Sequence, residues 1–159
     1  MTVDGTDVQI YQPKPFNKKW YSHKFHGPGL RYEIGVCIQT GDIVWVSGPY
    51  MCGRWPDINI FRDGLKNFLL PWEMVEADGG YRGDEKVRNP TNVRNHAELM
   101  KKKAARGRHE TINGCLKNWG VLNQTYRHGV ETHRDCFMAV AVLTQLTFAR
   151  GNRPYQVNY

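Results

Sequence analysis

Four acidic residues stand in short, distinctive neighbourhoods: Val3-Asp4-Gly5-Thr6, Trp55-Pro56-Asp57-Ile58, Glu76-Ala77-Asp78-Gly79-Gly80-Tyr81 and Arg108-His109-Glu110-Thr111. The rest of the chain is basic, with a formal net charge of +7 and a pI near 9.3. Carboxylates at strand ends and on a helix, set in a cationic chain, suit divalent cations held against a polyanion. The ions supply the chemistry and Lys and Arg grip phosphate. Mg²⁺ favours carboxylate oxygens, so acids from several elements can hold two ions about 4 Å apart, one generating the nucleophile and the other stabilising the leaving oxygen.

Helical spacing around Glu110 sorts the neighbouring residues. Ile112, Cys115, Leu116 and Trp119 fall on one side, and Arg106, Glu110, Asn113, Gly114 and Lys117 on the other. An ordinary surface helix would show the same pattern. What separates the two readings is the placement of Asp4 and Asp78 at expected strand ends, where a sheet can aim both at one point facing that helix. Positive charge also clusters. Between Arg82 and Arg108 there are nine Lys or Arg (82, 86, 88, 94, 101, 102, 103, 106 and 108) against three acids, which makes a track for phosphate.

The elements that must position these residues follow from the apolar pattern. Thr2 to Ile10 alternates around Asp4 and predicts a strand. Leu30 to Gln39 and Ile43 to Val46 predict two more, joined by the turn Thr40-Gly41-Asp42, with Gly48-Pro49 ending the second. Asp57 opens a predicted helix to about Leu69, with Ile58, Phe61, Leu65 and Phe68 inward. Glu73 to Ala77 is a short strand ending at Asp78, and Glu85 to Arg88 is one more. Val93 to about Arg106 is a basic helix, Gly107 a break or kink, and Arg108 to Trp119 its continuation. Arg134 to Arg150 is an apolar helix, expected to be buried. The class is therefore α/β, a mixed sheet flanked by helices, in one domain spanning 1–159.

Taken together, the motifs resemble the DDE endonuclease domain of PIF/Harbinger-type transposases over nearly the whole chain. Val3-Asp4-Gly5-Thr6 matches the first acidic motif, and Ser22-His23-Lys24-Phe25-His26-Gly27 the entry to the strand pair. Gly53-Arg54-Trp55-Pro56-Asp57 resembles the Gly-x-x-x-Asp element, and Ala77-Asp78-Gly79-Gly80-Tyr81 the Asp-Ser/Gly-Gly-Tyr strand end. Arg106 to Asn113 resembles the Arg-x-x-x-Glu helix. The resemblance implies an RNase H-like fold and a catalytic triad of Asp4, Asp78 and Glu110. It implies Mg²⁺ or Mn²⁺ as cofactor, with Asp4, Asp57, Asp78 and Glu110 as metal ligands. The second triad position stays open between Asp57 and Asp78: the topology favours Asp78, which ends the fourth strand, and Asp57 also serves as a helix cap.

The resemblance further implies DNA as partner, held by Lys24, Lys101, Lys102, Lys103, Arg106, Arg108 and Lys117. Cleavage would free a 3′-hydroxyl for strand transfer. Members of the family carry a helix-turn-helix region ahead of the first Asp, whereas Met1-Thr2-Val3 alone precede Asp4 in this chain. The expectation is an N-terminally truncated domain without its own DNA reader, which leaves room for a separate DNA-binding partner protein and for a homo-oligomer. The alternative function is a non-catalytic DNA- or protein-binding relic. A structure-specific nuclease or resolvase on the same fold is a third reading.

The remaining signals are weaker. Cys37, Cys52, Cys115 and Cys136 are scattered, as reduced thiols of an intracellular protein would be. His23, His26, His128 and His133 lack zinc-finger spacing, and His109 either tunes the site or faces solvent. Trp20-Tyr21, beside Lys18 and Lys19, is the candidate base-stacking pair, while Trp45, Trp72 and Trp119 are assigned to packing. The longest apolar stretch, Cys136 to Ala149, is too short to span a bilayer, so no membrane partner is expected. DNA work and the Lys101-Lys102-Lys103 run suggest the nucleus.

Overall fold

The computed structural model describes residues 1–89 and 95–159. The expected start of the basic helix at Val93, and Arg94 of the basic track, lie outside the described residues. A six-stranded mixed sheet forms the centre. Strand β1 (Thr2–Gln9) pairs antiparallel with β3 (Gly27–Val36) and parallel with β5 (Val75–Ala77). β4 (Ile43–Met51) extends the sheet beyond β3, the short β2 (Tyr21–Ser22) also pairs with β3, and β6 (Val87–Arg88) lies beyond β5. Helices α1 (Asp57–Asp63), α2 (His96–Lys117), α3 (Gly120–Asn123) and α4 (His133–Ala149) flank it. This open sheet with helices on its faces is an RNase H-like α/β fold.

The alternation read from β1 holds, and it feeds two separate cores. Val8 joins Tyr32, Ile34, Ile112, Leu116, Phe137 and Phe148 beneath α2 and α4. Val3 joins Phe61, Leu65, Val75, Ala77 and Tyr81 beneath α1. Successive β1 side chains therefore address opposite layers, as a strand buried on both faces requires.

Four expectations about elements need correction. β4 does not stop at Gly48-Pro49 but continues to Met51. The ladder with β3 shifts register between Arg31 and Glu33, so a bulge absorbs the pair. Gly48 is required there: its φ is +140°, and a Cβ would lie 2.5 Å from the Tyr32 ring. α1 ends at Asp63, because Gly64 leaves helical geometry at φ −111° and ψ −101°. The chain then makes a 3₁₀ turn that leaves Phe68 exposed against Trp45 rather than inward. Gly107 neither breaks nor kinks its helix into two elements, since α2 runs through it. A Cβ there would stand 2.8 Å from the Tyr155 hydroxyl, so this glycine makes room for the C-terminal tail. Finally, α4 is buried on one side only, with Met138, Val142, Leu143 and Leu146 exposed.

His133 carries the packing of α4 onto β3. It is fully buried, its Nδ1 lies 2.7 Å from the Tyr32 hydroxyl, and Tyr32 stacks on Phe137 at 3.8 Å between centroids. Burial holds its pKa down at about 4. A lowered histidine pKa means that the folded state keeps the ring neutral, so this stability is present above about 6.5 and drains as pH falls toward 4. We expect the stability difference between wild type and His133→Gln to shrink across that interval, by on the order of 3 kcal/mol. Urea titrations at pH 7 and pH 4 check this; a constant difference would refute it.

Candidate active site

Even-numbered residues of β1 face α2. Asp4 accepts from the Gly5 amide at 2.8 Å through Oδ1 and from Asn113 Nδ2 at 3.2 Å through Oδ2. Thr2, one pleat earlier, meets His109 Nδ1 at 2.8 Å. The parallel register aligns Val3 with Ala77, so Asp78 leaves β5 beside Asp4. Asp78 then caps a 3₁₀ turn, its Oδ1 accepting from Gly80 N at 2.7 Å. Glu110 arrives from α2, two turns after Lys102. Asp4, Asp78 and Glu110, from three different elements, line one cleft of about 180 Å³ with Lys24, Arg106, His109, Thr2 and Glu76.

The cleft is electrostatically unfavourable to the Asp4 carboxylate. Burial pushes Asp4 up to about 6; Lys24 opposes the rise, and Asp78 and Asp57 add to it. Lys24 Nζ donates to the Gly5 carbonyl at 3.1 Å, which fixes that charge near the cleft. Burial also lowers Lys117, with Lys24 adding repulsion. His109 is held down at about 4 by burial alone.

Asp57 stands on the other side of β1. Its Oδ1 pairs with Arg31 Nη1 at 3.2 Å without hydrogen-bond alignment, and Arg31 is itself anchored by Asp7 at 2.7 Å. Burial raises Asp57, against the pull of Arg31. Yet Asp57 is not remote from Asp78. A Cβ on Gly80 would lie 3.1 Å from both Asp57 Oδ2 and Asp78 Oδ1, so the two carboxylates share the space above that glycine. Asp57 does not act as a side-chain cap for α1, whose N-cap position is Pro56.

Among the described residues, no three of His, Cys, Asp and Glu stand close enough to hold a cation as placed. The donor chemistry still fits a divalent ion. Burial destabilises the Asp4 carboxylate, Asp57 and Asp78 both lean over Gly80, and Asp57 Oδ1 and His109 Nε2 have no hydrogen-bond partner.

The expected DNA contacts divide. Lys24, Lys101 and Lys103 are exposed, and Arg106 and Lys117 are half-buried on the cleft side of α2. Lys102 and Arg108 are corrected: they are 3% and 2% exposed and face inward. Lys102 Nζ bonds both oxygens of Glu76 at 3.0 Å, and Arg108 donates to the carbonyls of Cys37, Ile38 and Gln39. Neither presents its charge to a phosphate. Sequence reasoning missed Thr2, Glu76 and the burial of His109. The pairing of Glu76 follows from burial: it lies on the fully buried strand β5, where a carboxylate demands an internal cation.

The family model of the DDE superfamily endonucleases matches residues 3–145, and the chain belongs to that family. Neither the curated proteins nor the solved structures yield a match.

Two outcomes test this site. Because the folded pKa of Asp4 is raised, its contribution is intact below about 3.8 and lost as pH rises through about 6. Asp4→Asn is therefore expected to be more stable than wild type at pH 7.5, by on the order of 3 kcal/mol, and close to it near pH 4. Asn113, whose Oδ1 has no partner, can turn its amide to suit the new side chain. Separately, Lys102→Ala strips Glu76 of its cation and should cost about 3–5 kcal/mol. Lys101→Ala and Lys103→Ala should each cost under about 0.5 kcal/mol. Chemical denaturation of the three variants checks the contrast.

Proposed function

We propose that this chain, a member of the DDE superfamily endonucleases, cleaves DNA phosphodiester bonds with divalent cations held by Asp4, Asp78 and Glu110, Asp57 lending a fourth carboxylate. One observation carries the reading: the central strand, the end of its parallel neighbour and the middle of α2 deliver one carboxylate each to a single cleft. When bound, Mg²⁺ or Mn²⁺ supplies Lewis-acid activation of water and of the phosphate.

The chain's own residues do the rest. Lys24 and Arg106, at the rim, bind the non-bridging oxygens of the scissile phosphate, and exposed Lys101 and Lys103 hold the backbone farther along α2. Asn113 keeps Asp4 turned into the cleft through its 3.2 Å bond, and Gly80 N does the same for Asp78. Water attacks phosphorus, the bond from phosphorus to the 3′ oxygen breaks, and that oxygen leaves as a hydroxyl. In strand transfer the freed hydroxyl becomes the next nucleophile.

The spacing of the carboxylates favours a second reading as well, a DNA-binding relic, since no three ligands are gathered among the described residues. Asp78→Ala and Glu110→Ala are expected to lose cation-dependent cleavage of a DNA duplex by about 10³-fold or more while remaining folded. Calorimetric titration with Mn²⁺ separates the readings. Binding that disappears in Asp78→Ala supports the nuclease; salt-sensitive DNA binding with no cation uptake by folded wild type supports the relic.

A further inference from the structure

We propose that α4 is a self-association surface, through which two copies of this chain pair antiparallel across a two-fold axis near Val142. The inference is independent of the nuclease reading. It starts from a helix whose sequence suits burial on every side. Between Asp135 and Arg150, α4 carries no charged side chain, and a helix so apolar all round is normally enclosed.

The fold encloses only half of it. Phe137, Val140, Ala141, Thr144 and Phe148 are buried, whereas Met138, Val142, Leu143 and Leu146 are exposed, Val142 and Leu146 by 55% and 51%. That open side adjoins an outer strand of the sheet. Among the described residues β4 pairs with β3 alone. Its Val44 forms, with Met138, Val142 and Leu146, an apolar groove of about 330 Å³. Gln145 fixes α4 against the strand, accepting from the Ile43 amide at 2.9 Å and donating to Asp42 at 2.6 Å. The C-terminal tail does not cover the groove: Tyr155 and Tyr159 bond Ala104 of α2 and Glu76 of β5 instead. Contiguous exposed apolar patches of this kind mark protein contacts.

The pattern within the face names the occupant. Asp135, Ala139, Val142, Leu146 and Ala149 are all exposed and recur at alternating steps of four and three residues, the spacing by which two helices mesh lengthwise. An antiparallel copy centred on Val142 sets that valine against its own equivalent. It sets Ala139 opposite Leu146, small against large, and Asp135 at one end of the stripe opposite Arg150 at the other. Each charge then meets its opposite, once at either end of the pair. A parallel copy would oppose like charges at both ends. A chain of net charge +7 repels its copies, so contact is favoured on a face whose acid and base cancel. None of these side chains lines the cleft of Asp4, Asp78 and Glu110, so substitutions here leave its chemistry untouched.

Analytical ultracentrifugation of the folded wild-type chain tests this. One helix face per copy falls short of the about 800 Å² per partner that standard interfaces bury, so a dissociation constant on the order of 10 µM is expected. Val142→Glu opposes two carboxylates at the axis and should weaken the dimer about 100-fold, with circular dichroism unchanged because the site is exposed in the single chain. Asp135→Arg and Arg150→Asp should each weaken it about 10-fold, and the two together should restore it. That mutual rescue is specific to antiparallel self-pairing. A folded wild type that stays monomeric at about 200 µM overturns the proposal and leaves the face to a different protein. So does a dimer that survives Val142→Glu, or charge swaps that show no rescue.

Discussion

The double pairing of β1 is the constraint on which the rest of the structure depends. One strand holds Thr2 opposite Val36 on its antiparallel side and opposite Glu76 on its parallel side. Because side chains alternate with period two, a slip of one residue would send Asp4 into the layer beneath α1 and Val3 into the cleft. The register is protected chemically on both faces. Asp7, fully buried, is held by Arg31 at 2.7 Å and by Ser22 at 2.6 Å, and no other register gives that carboxylate its cation. Val3 and Val8, on opposite faces, fill separate cores.

α2 is then seated by charge as much as by apolar contact. Lys102 reaches Glu76 on β5, which also accepts from Tyr159 at 2.6 Å, and Arg108 closes the carbonyls after β3. Just beyond these anchors lie His109 on Thr2 and Asn113 on Asp4. Buried cations are an expensive way to dock a helix, because desolvation opposes the attraction. What they add over leucine is direction: each binds one acceptor set, so the rotation of α2 and the azimuth of Glu110 are set together.

The outline of this arrangement was legible in the chain. Period-two alternation gave β1, the turn residues gave the hairpin, and the position of Asp78 at a strand end followed from Gly79-Gly80. Lys102 and Arg108 were misplaced for a physical reason. Composition treats every Lys and Arg as surface, yet their long stems pack well and their heads can be paired inside. Phe68 was misplaced because helical periodicity cannot see the backbone leave the helix at Gly64. The burial of His109 escaped because its helix face is decided by Glu76 and Thr2, which lie 33 and 107 residues away in sequence.

Two motif glycines bear on Asp57 in a way that spacing alone does not suggest. The Asp57 carboxylate occupies the position that a Cβ on Gly5 would take, and it lies 3.1 Å from where a Cβ on Gly80 would stand. Gly5 follows Asp4 directly and Gly80 stands two residues after Asp78, so a glycine close to each cleft carboxylate leaves room for a third one. Arg31, on β3, holds that third carboxylate in place. An acid serving only to start a helix would need neither gap. The three motifs thus form one packed corner at the end of the sheet, where Lys24 pulls Asp4 down and Arg31 and Lys24 pull Asp57 down, yet burial still leaves both carboxylates raised. That imbalance is what a divalent ion would relieve, and it is built from the same contacts that fix the strand register.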